Sequence, residues 1–277
     1  MSGVLYIVAT PIGNLDDITL RAIEVLRDVD IVAAEDTRHS QRLLAHLGLR
    51  KKMLSLHEHN ERERSTQIVK YLHNGQTIAL VSDAGTPLIS DPGYPLLQAV
   101  IDAGLKVVPV PGVSSVITAL SAAGVPTDHF CFHGFLPHKN AERIARLKAL
   151  QLLSGSQILL ESTHRIERLL QQIDELMPDC HVVLAKELTK RHERFLRGTA
   201  AECLLWFEQD AALSKGEFVV LLHQPAAASQ TSQLDNERLL TLLMAEMPLK
   251  KAVKIACEIS GGRKNELYQQ ALELQQV

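Results

Sequence analysis

The chain has no glycine-rich dinucleotide fingerprint opening a helix after its first strand, and no Gly-Lys-Ser/Thr phosphate loop. NAD, FAD and ATP in their commonest folds are therefore poor candidates as ligands. Its cysteines, Cys131, Cys180, Cys203 and Cys257, are scattered without Cys-x-x-Cys spacing. That argues against structural zinc and a disulfide framework, and fits a reduced cytoplasm. No apolar stretch approaches the roughly 20 residues that span a bilayer, so no membrane partner is expected. The start, Met1-Ser-Gly-Val-Leu-Tyr6, shows neither a basic flank nor a cleavage site, and no secretory signal is read there. A strong charge of one sign is also lacking. With a formal net charge of −3, any nucleic acid has to be held by local basic patches. His57 and His59 stand two apart with no evident third ligand, and no metal is expected.

What is present is a globular chain of 277 residues, 46% apolar and 22% charged, long enough for one large or two ordinary domains. Strands and helices alternate along the first half. Strands are expected at Val4–Ala9, Asp30–Ala34, Lys52–Leu56, Gln76–Val81 and Leu105–Pro109. Between them, Leu20, Ile23 and Leu26 mark one helix, Leu43, Leu44 and Leu47 a second capped by Asp36, and Ile68, Val69 and Leu72 a third ending near Gly75. This order predicts a mostly parallel sheet with helices on both faces.

After Pro111 the pattern changes. A helix from Gly112 to Ala123 leads to strands near Phe130–His133, Gln157–Leu160, Val182–Ala185, Arg194–Gly198 and Phe218–Leu222. The last of these lack long crossovers, so a mixed sheet is expected. Pro225–Gln233 reads as a linker, and three helical segments follow. The expected domains are 1–111, 112–224 and a helical module at 234–277.

The most informative stretch is Ser82-Asp-Ala-Gly-Thr-Pro-Leu-Ile-Ser-Asp-Pro-Gly93. It leaves the carboxyl end of a buried strand, where open parallel sheets bind ligands. Gly85 permits close backbone approach, and Pro87 and Pro92 fix the path of the loop. Two basic patches stand out elsewhere. Lys186, Lys190, Arg191, Arg194 and Arg197 form one; Lys250, Lys251, Lys254, Arg263 and Lys264 form the other. Lys250 and Lys254 share a helix face opposite Leu249, Val253, Ala256 and Ile259, and Gly261-Gly262 separates that helix from the next. Such a layout suits nucleic-acid binding, and equally a terminal hairpin with solvated lysines.

The stretches Val8–Leu15, Ala34–Arg38, His57–Asn60, Ser82–Gly93, Val110–Ser115, Phe132–Pro137 and Lys186–Lys190 occur in order from the first strand to about Leu222. In them the chain resembles the tetrapyrrole-methylase-like (class III) methyltransferases, and within that class the ribosomal small subunit methyltransferase I family. The resemblance implies a two-domain α/β enzyme with parallel and mixed sheets and a small C-terminal helical module, normally a homodimer. It also implies S-adenosyl-L-methionine as methyl donor, bound in the cleft between domains by Pro11, Asp83, Gly85, Thr86, Ser114 and Ser115. The implied reaction is methylation of a cytidine ribose 2′-hydroxyl in 16S ribosomal RNA near the decoding centre, within the small ribosomal subunit.

A ribose hydroxyl is a weak nucleophile, so a base or a cation beside it would help. Glu187 or His57 is the expected base and Lys186 or Arg38 the electrostatic helper. Asn60, Lys190, Lys250, Lys254, Arg263 and Lys264 are the expected RNA contacts. Structural alternatives exist: Asp36 as a helix cap, Glu35 with Arg38 as an ion pair, Lys186 as a solvated charge. Two other functions stay open at this point, methylation of a small tetrapyrrole or corrinoid and non-catalytic RNA binding during ribosome assembly.

Overall fold

The structure is a computed structural model that describes residues 2–224, 230–260 and 262–274. The chain forms two compact units, Met1–Gln224 and Pro225–Val277.

The first unit holds two five-stranded sheets. β1 (Val4–Val8), β2 (Ile31–Ala34), β3 (Lys52–Ser55), β4 (Ile78–Val81) and β5 (Lys106–Val110) make an all-parallel sheet in the order β3-β2-β4-β1-β5. Every residue of β2 and β4 is buried, as expected of central parallel strands covered on both faces. One face carries Leu5, Ile31, Ile78 and Leu80 against α3 (Glu61–His73) and α4 (Tyr94–Asp102). The other carries Val8, Val32, Ala79 and Val81 against α1 (Leu20–Asp28) and α2 (Thr37–His46).

Local chemistry sets the helix boundaries. The Thr19 hydroxyl accepts from the Ala22 N–H at 3.1 Å, which makes Leu20 the first residue of α1. Leu20 is therefore 81% exposed, and Ala22 with Leu26 forms the buried stripe instead. Asp36 caps α2, accepting from the Arg38 N–H at 2.8 Å, and Gly48 takes the left-handed turn beyond that helix (φ 69°).

The second sheet runs β6-β7-β10-β8-β9, built from β6 (Phe130–Phe135), β7 (Ser156–Ser162), β8 (His181–Lys186), β9 (Arg194–Gly198) and β10 (Glu217–His223). β6 and β7 are parallel and the remaining pairs antiparallel, a mixed sheet. On one face, Leu159, Leu184, Val220 and Leu222 pack under α6 (Asn140–Leu150), α7 (Ile166–Leu176) and α8 (Ala200–Gln209). On the other, Ile158, Val183, Ala185 and Val219 meet α5 (Ser115–Ala123) together with Ile12 from the loop after β1. Ile12 and α5 thus weld the first sheet to the second.

The second unit comprises α9 (Gln230–Glu246), α10 (Leu249–Ser260) and α11 (Lys264–Leu274) around Leu240, Val253, Ala256, Leu267 and Ala271. Of the expected linker, residues 225–229 lie outside the described residues, and Gln230–Gln233 belong to α9. Ile259 is exposed, because the buried stripe of α10 runs through Ala252, Val253 and Ala256 and the helix stops one residue past Ile259. No described helix is long and apolar enough to cross a membrane.

Candidate active site

Because the first sheet is parallel, the loops after β1, β2, β4 and β5 emerge on one side, and three of them are bonded together there. Thr10 and Gly85 exchange backbone hydrogen bonds of 2.8 and 3.0 Å, and the Thr10 hydroxyl donates to the Ser82 carbonyl at 3.2 Å. The Thr86 hydroxyl donates to the Val113 carbonyl at 3.0 Å. Gly85 has a φ of +80°, and a Cβ there would stand 3.3 Å from the Ile12 side chain. Glycine is favoured at that position by conformation, and a Cβ would need the Ile12 side chain to shift slightly.

Above this platform lies a cavity of about 430 Å³, within the size range of small-molecule sites. Asp83, Ala84, Ile89 and Asp91 border it from the first sheet, and Leu160, Ala185, Leu188 and Val219 from the second. Among the described residues, non-glycine residues with positive φ number four: Leu88 (76°), Ser90 (69°), Glu187 (50°) and Thr189 (63°). All four sit in two loops that flank the cavity, the pattern of strain retained where a ligand is held.

The loop after β4 brings Asp83 and Asp91 to the cavity, and the second sheet brings Leu160, Ala185, Leu188 and Val219 together with Glu161 and Glu217. Burial, reinforced by Asp83, pushes the Asp91 carboxyl up to about 6, and the Ser82 hydroxyl only partly offsets this. Burial likewise raises Glu35 at the end of β2, helped by Asp83, Asp91, Glu58 and Asp36. Carboxylates that resist ionisation when alone are well placed to receive a cation. Asp83 is itself fixed, accepting from the Asp36 N–H at 3.2 Å. Among the described residues no three His, Cys, Asp or Glu side chains converge as a metal site.

The residues singled out from sequence fall into distinct places. Asp83 and Ser115 border the cavity. Gly85, Thr86 and Pro11 do not border it; Gly85 and Thr86 join the loops beside it through the bonds above, and Pro11 is buried next to Ile12, which does border it. Ser114 starts α5 without using its side chain as a cap, and faces a neighbouring hollow with Gly112, Thr118 and Thr189.

Glu187 has a carboxylate that burial would raise but that the Glu217 N–H (2.9 Å) and Lys190 Nζ (3.1 Å) hold below its ordinary range. Lys190 bonds Glu217 as well, at 2.7 Å. The two therefore clamp the loop after β8, a geometry that weighs against Glu187 as a proton acceptor. Lys186 is buried rather than solvated. It leaves β8 on the face opposite Ala185, the face of its cross-strand partner Phe218, and does not itself border the cavity.

His57 and Asn60 close the turn after the edge strand β3. Asn60 accepts from the His57 N–H at 2.9 Å, and its amide donates to the Ser55 carbonyl at 3.2 Å and to His57 Nε2 at 3.1 Å. Neither borders the cavity. Arg38, with its side chain 88% exposed, grips Asp36 with two bonds of 3.1 and 2.7 Å. The expected partner Glu35 is replaced by Asp36 because the cap already holds that carboxylate beside α2. Lys250, Lys254, Arg263 and Lys264 are exposed or nearly so in the separate helical unit, and Arg263 stands 3.7 Å from Glu266.

Asp91, Ile89, Phe135, Leu160 and Val219 border the cavity without having been singled out. Asp91 was open to detection as the second acid of the loop, placed before Pro92-Gly93. The others depend on two sheets meeting, which no local pattern announces.

Residues 4–204 match the family of Tetrapyrrole (Corrin/Porphyrin) Methylases, and residues 230–275 match the RsmI C-terminal HTH domain. The chain is 49% identical over 274 residues to a ribosomal RNA small subunit methyltransferase I of Escherichia coli O157:H7, covering 99% of this chain and 96% of that protein. To the protein of the same name from Vibrio cholerae it is 50% identical over 273 residues, covering 98% and 94%. The fold is shared with the uroporphyrin-III C-methyl transferase of Thermus thermophilus complexed with S-adenyl homocysteine. That likeness has a TM-score of 0.55 at 16% identity and covers 79% of this chain and 97% of the other.

Proposed function

Since the chain belongs to the ribosomal RNA small subunit methyltransferase I family, we propose that it methylates the ribose 2′-hydroxyl of a cytidine in 16S ribosomal RNA near the decoding centre. It is an S-adenosyl-L-methionine-dependent methyltransferase acting on ribosomal RNA. The observation that carries the reading is the cavity between the two sheets, where Asp83 and Asp91 stand on the loop after β4 and Leu160, Ala185, Leu188 and Val219 supply apolar surface opposite.

The donor offers a sulfonium methyl to an incoming oxygen, and its own charges are an ammonium, a sulfonium and a carboxylate. Asp83 and Asp91 suit the cationic groups, and Leu160, Ala185, Leu188 and Val219 suit its apolar surface. Ser114 and Ser115, with unpaired N–H groups at the start of α5, suit hydroxyl or carboxylate oxygens. Gly85 and Thr86 tie the loops that carry these groups to one another.

Displacement at a sulfonium has a good leaving group, so the chain's main task is to align the acceptor oxygen and exclude water. The strained loops at Leu88–Ser90 and Glu187–Thr189 fix that alignment in advance. Lys190 and Glu187 keep the second loop in place. The exposed Lys250, Lys254, Arg263 and Lys264 offer a basic surface for RNA phosphates. The acceptor is RNA within the small subunit, and the enzyme works in the cytoplasm as a homodimer.

The reading is tested by incubating the protein with tritiated S-adenosyl-L-methionine and either small ribosomal subunits or precorrins. Label should enter 16S RNA, and mass spectrometry should place it on a cytidine ribose. Label in precorrins alone, or no calorimetric binding of the donor by folded protein, would overturn it. Sedimentation reports the homodimer directly.

A further inference from the structure

An exposed aromatic ring stands at the mouth of the cavity. The chain has few aromatics, six Phe, four Tyr and one Trp, and two of them border this space, Phe135 and Phe218. Phe218 is only 2% exposed and belongs to the core under the second sheet. Phe135 is 56% exposed although it is a large apolar side chain on a strand. Burying such a ring is worth about 1.5–3 kcal/mol, and this one is left facing water.

Its position is tightly specified. The β6–β7 register shifts between Phe132 and Gly134, and such a bulge re-aims the side chain that follows it. Gly134 has a φ of +64°, and a Cβ there would stand 3.1 Å from Ser90 Oγ in the acidic loop. Before the ring, His133 Nε2 lies 2.7 Å from Gln157 Oε1. After it, an Arg165 guanidinium N–H donates to the Leu136 carbonyl at 2.6 Å and to the Pro137 carbonyl at 3.4 Å. Arg165 is in turn 3.2 Å from the fully buried Glu161 carboxylate. An exposed ring clamped on both sides is a preorganised contact surface.

Resting on the proposed RNA methylation, we infer that Phe135 is the platform on which the base of the target nucleotide stacks. The acceptor oxygen has to come within about 3–3.5 Å of the methyl carbon, so the target ribose enters the cavity mouth and its base lies against the surrounding wall. An unpaired base seeks an aromatic face, and stacking of this kind tolerates any base. Phe135 thus supplies affinity and orientation, while selection of cytidine lies elsewhere. Ile89, from the loop on the other side of the seam, also borders the mouth and is exposed, and offers apolar surface nearby.

The test compares Phe135→Leu, Phe135→Trp and Gly134→Ala in the full-length protein. In Phe135→Leu, kcat/KM for small subunits should fall about 5- to 160-fold, the range for loss of one base–aromatic stack. Calorimetric affinity for S-adenosyl-L-methionine should stay that of the wild type. Phe135→Trp should retain activity, and Gly134→Ala should mimic the leucine variant although the ring is still present. Pyrrolocytosine at the target position should be quenched by wild type and not by Phe135→Leu.

Wild-type kcat/KM in Phe135→Leu would overturn the inference while leaving the methylation itself intact. Weakened donor binding in that variant would overturn it too, assigning the ring to the donor's adenine. A wild-type protein that transfers no methyl to small subunits would fail the parent reading, and the stacking assignment with it.

Discussion

At Asp91 the folded state works against ionisation, and the consequences for stability and for binding have opposite signs. Its carboxyl is raised to about 6 by burial and then by Asp83, so the protonated form is the one the fold favours. That contribution is complete below the unfolded carboxylate pKa and is lost as pH rises through about 6. At neutral pH ionised Asp91 costs at most about 3 kcal/mol by the conversion of pKa into free energy, and on the order of 1 kcal/mol once solvent screening at this partly exposed group is allowed for.

A cationic donor reverses the balance. Its affinity should strengthen between pH 5 and 7.5 in the wild type. Asp91→Asn should raise the melting temperature at pH 7.5, weaken donor binding by roughly tenfold or more, and flatten the pH dependence. Calorimetry and thermal melts over that range check all three; pH-dependent binding that survives the substitution removes Asp91 from the site. Glu187 makes the opposite case, being held in its charged form by Lys190 and the Glu217 N–H. Glu187→Gln should keep an accepting oxygen for that N–H, cost about 0.5–1.5 kcal/mol in stability and leave the pH profile of methyl transfer unchanged. A fall of about 10²- to 10⁴-fold would instead mark Glu187 as the base.

Among the elements, the first sheet was readable because its central strands are short, wholly apolar runs and its helices carry caps with local chemistry, as at Asp36 and Gly48. Periodicity failed at Leu20 because Thr19 caps the helix one residue earlier, which turns that leucine outward. The mixed second sheet followed from connections too short to cross over. The ligand loop was legible as Asp, Gly and Pro at a strand end. Its partners across the cavity were not, since Phe135, Leu160 and Val219 reach it through pairings of β6, β7 and β10 that span much of the chain. The same limit hid the buried side of Lys186.

What ties the loops into one platform is a handful of hydrogen bonds, and Thr86 makes the one that joins the β4 loop to the start of α5. Thr86→Val preserves shape and removes that bond. It should cost about 1 kcal/mol in urea unfolding and weaken donor binding several-fold, because Asp83 and Ser115 are no longer held to one another. Unchanged donor affinity would mean that the loops are positioned by packing of Ile12 and Leu88 alone.

Taken whole, the molecule faces a problem of charge. It carries a net −3 and gathers Glu35, Asp83 and Asp91 beside the cavity in which a polyanion's ribose has to react. Those carboxylates suit the cationic donor and repel RNA, so attraction for the acceptor has to come from elsewhere in the chain. On the first unit, Lys190 is neutralised by Glu187 and Glu217, and Arg38 by Asp36, whereas Arg191, Arg194 and Arg197 of the first basic patch stay exposed. The helical unit offers Lys250, Lys251 and Lys254 exposed on α10, with Lys264 starting α11. The proposed RNA surface on α10 can be altered without touching any residue that borders the cavity. Lys250→Glu with Lys254→Glu should leave donor affinity untouched and sharply lower methylation of small subunits. It should also reduce the slope of log affinity against log salt by about 1.4–1.8, the share of two phosphate contacts. Filter binding of 16S RNA across a salt series measures that slope, and a variant whose slope and activity match the wild type would place the RNA surface outside α10.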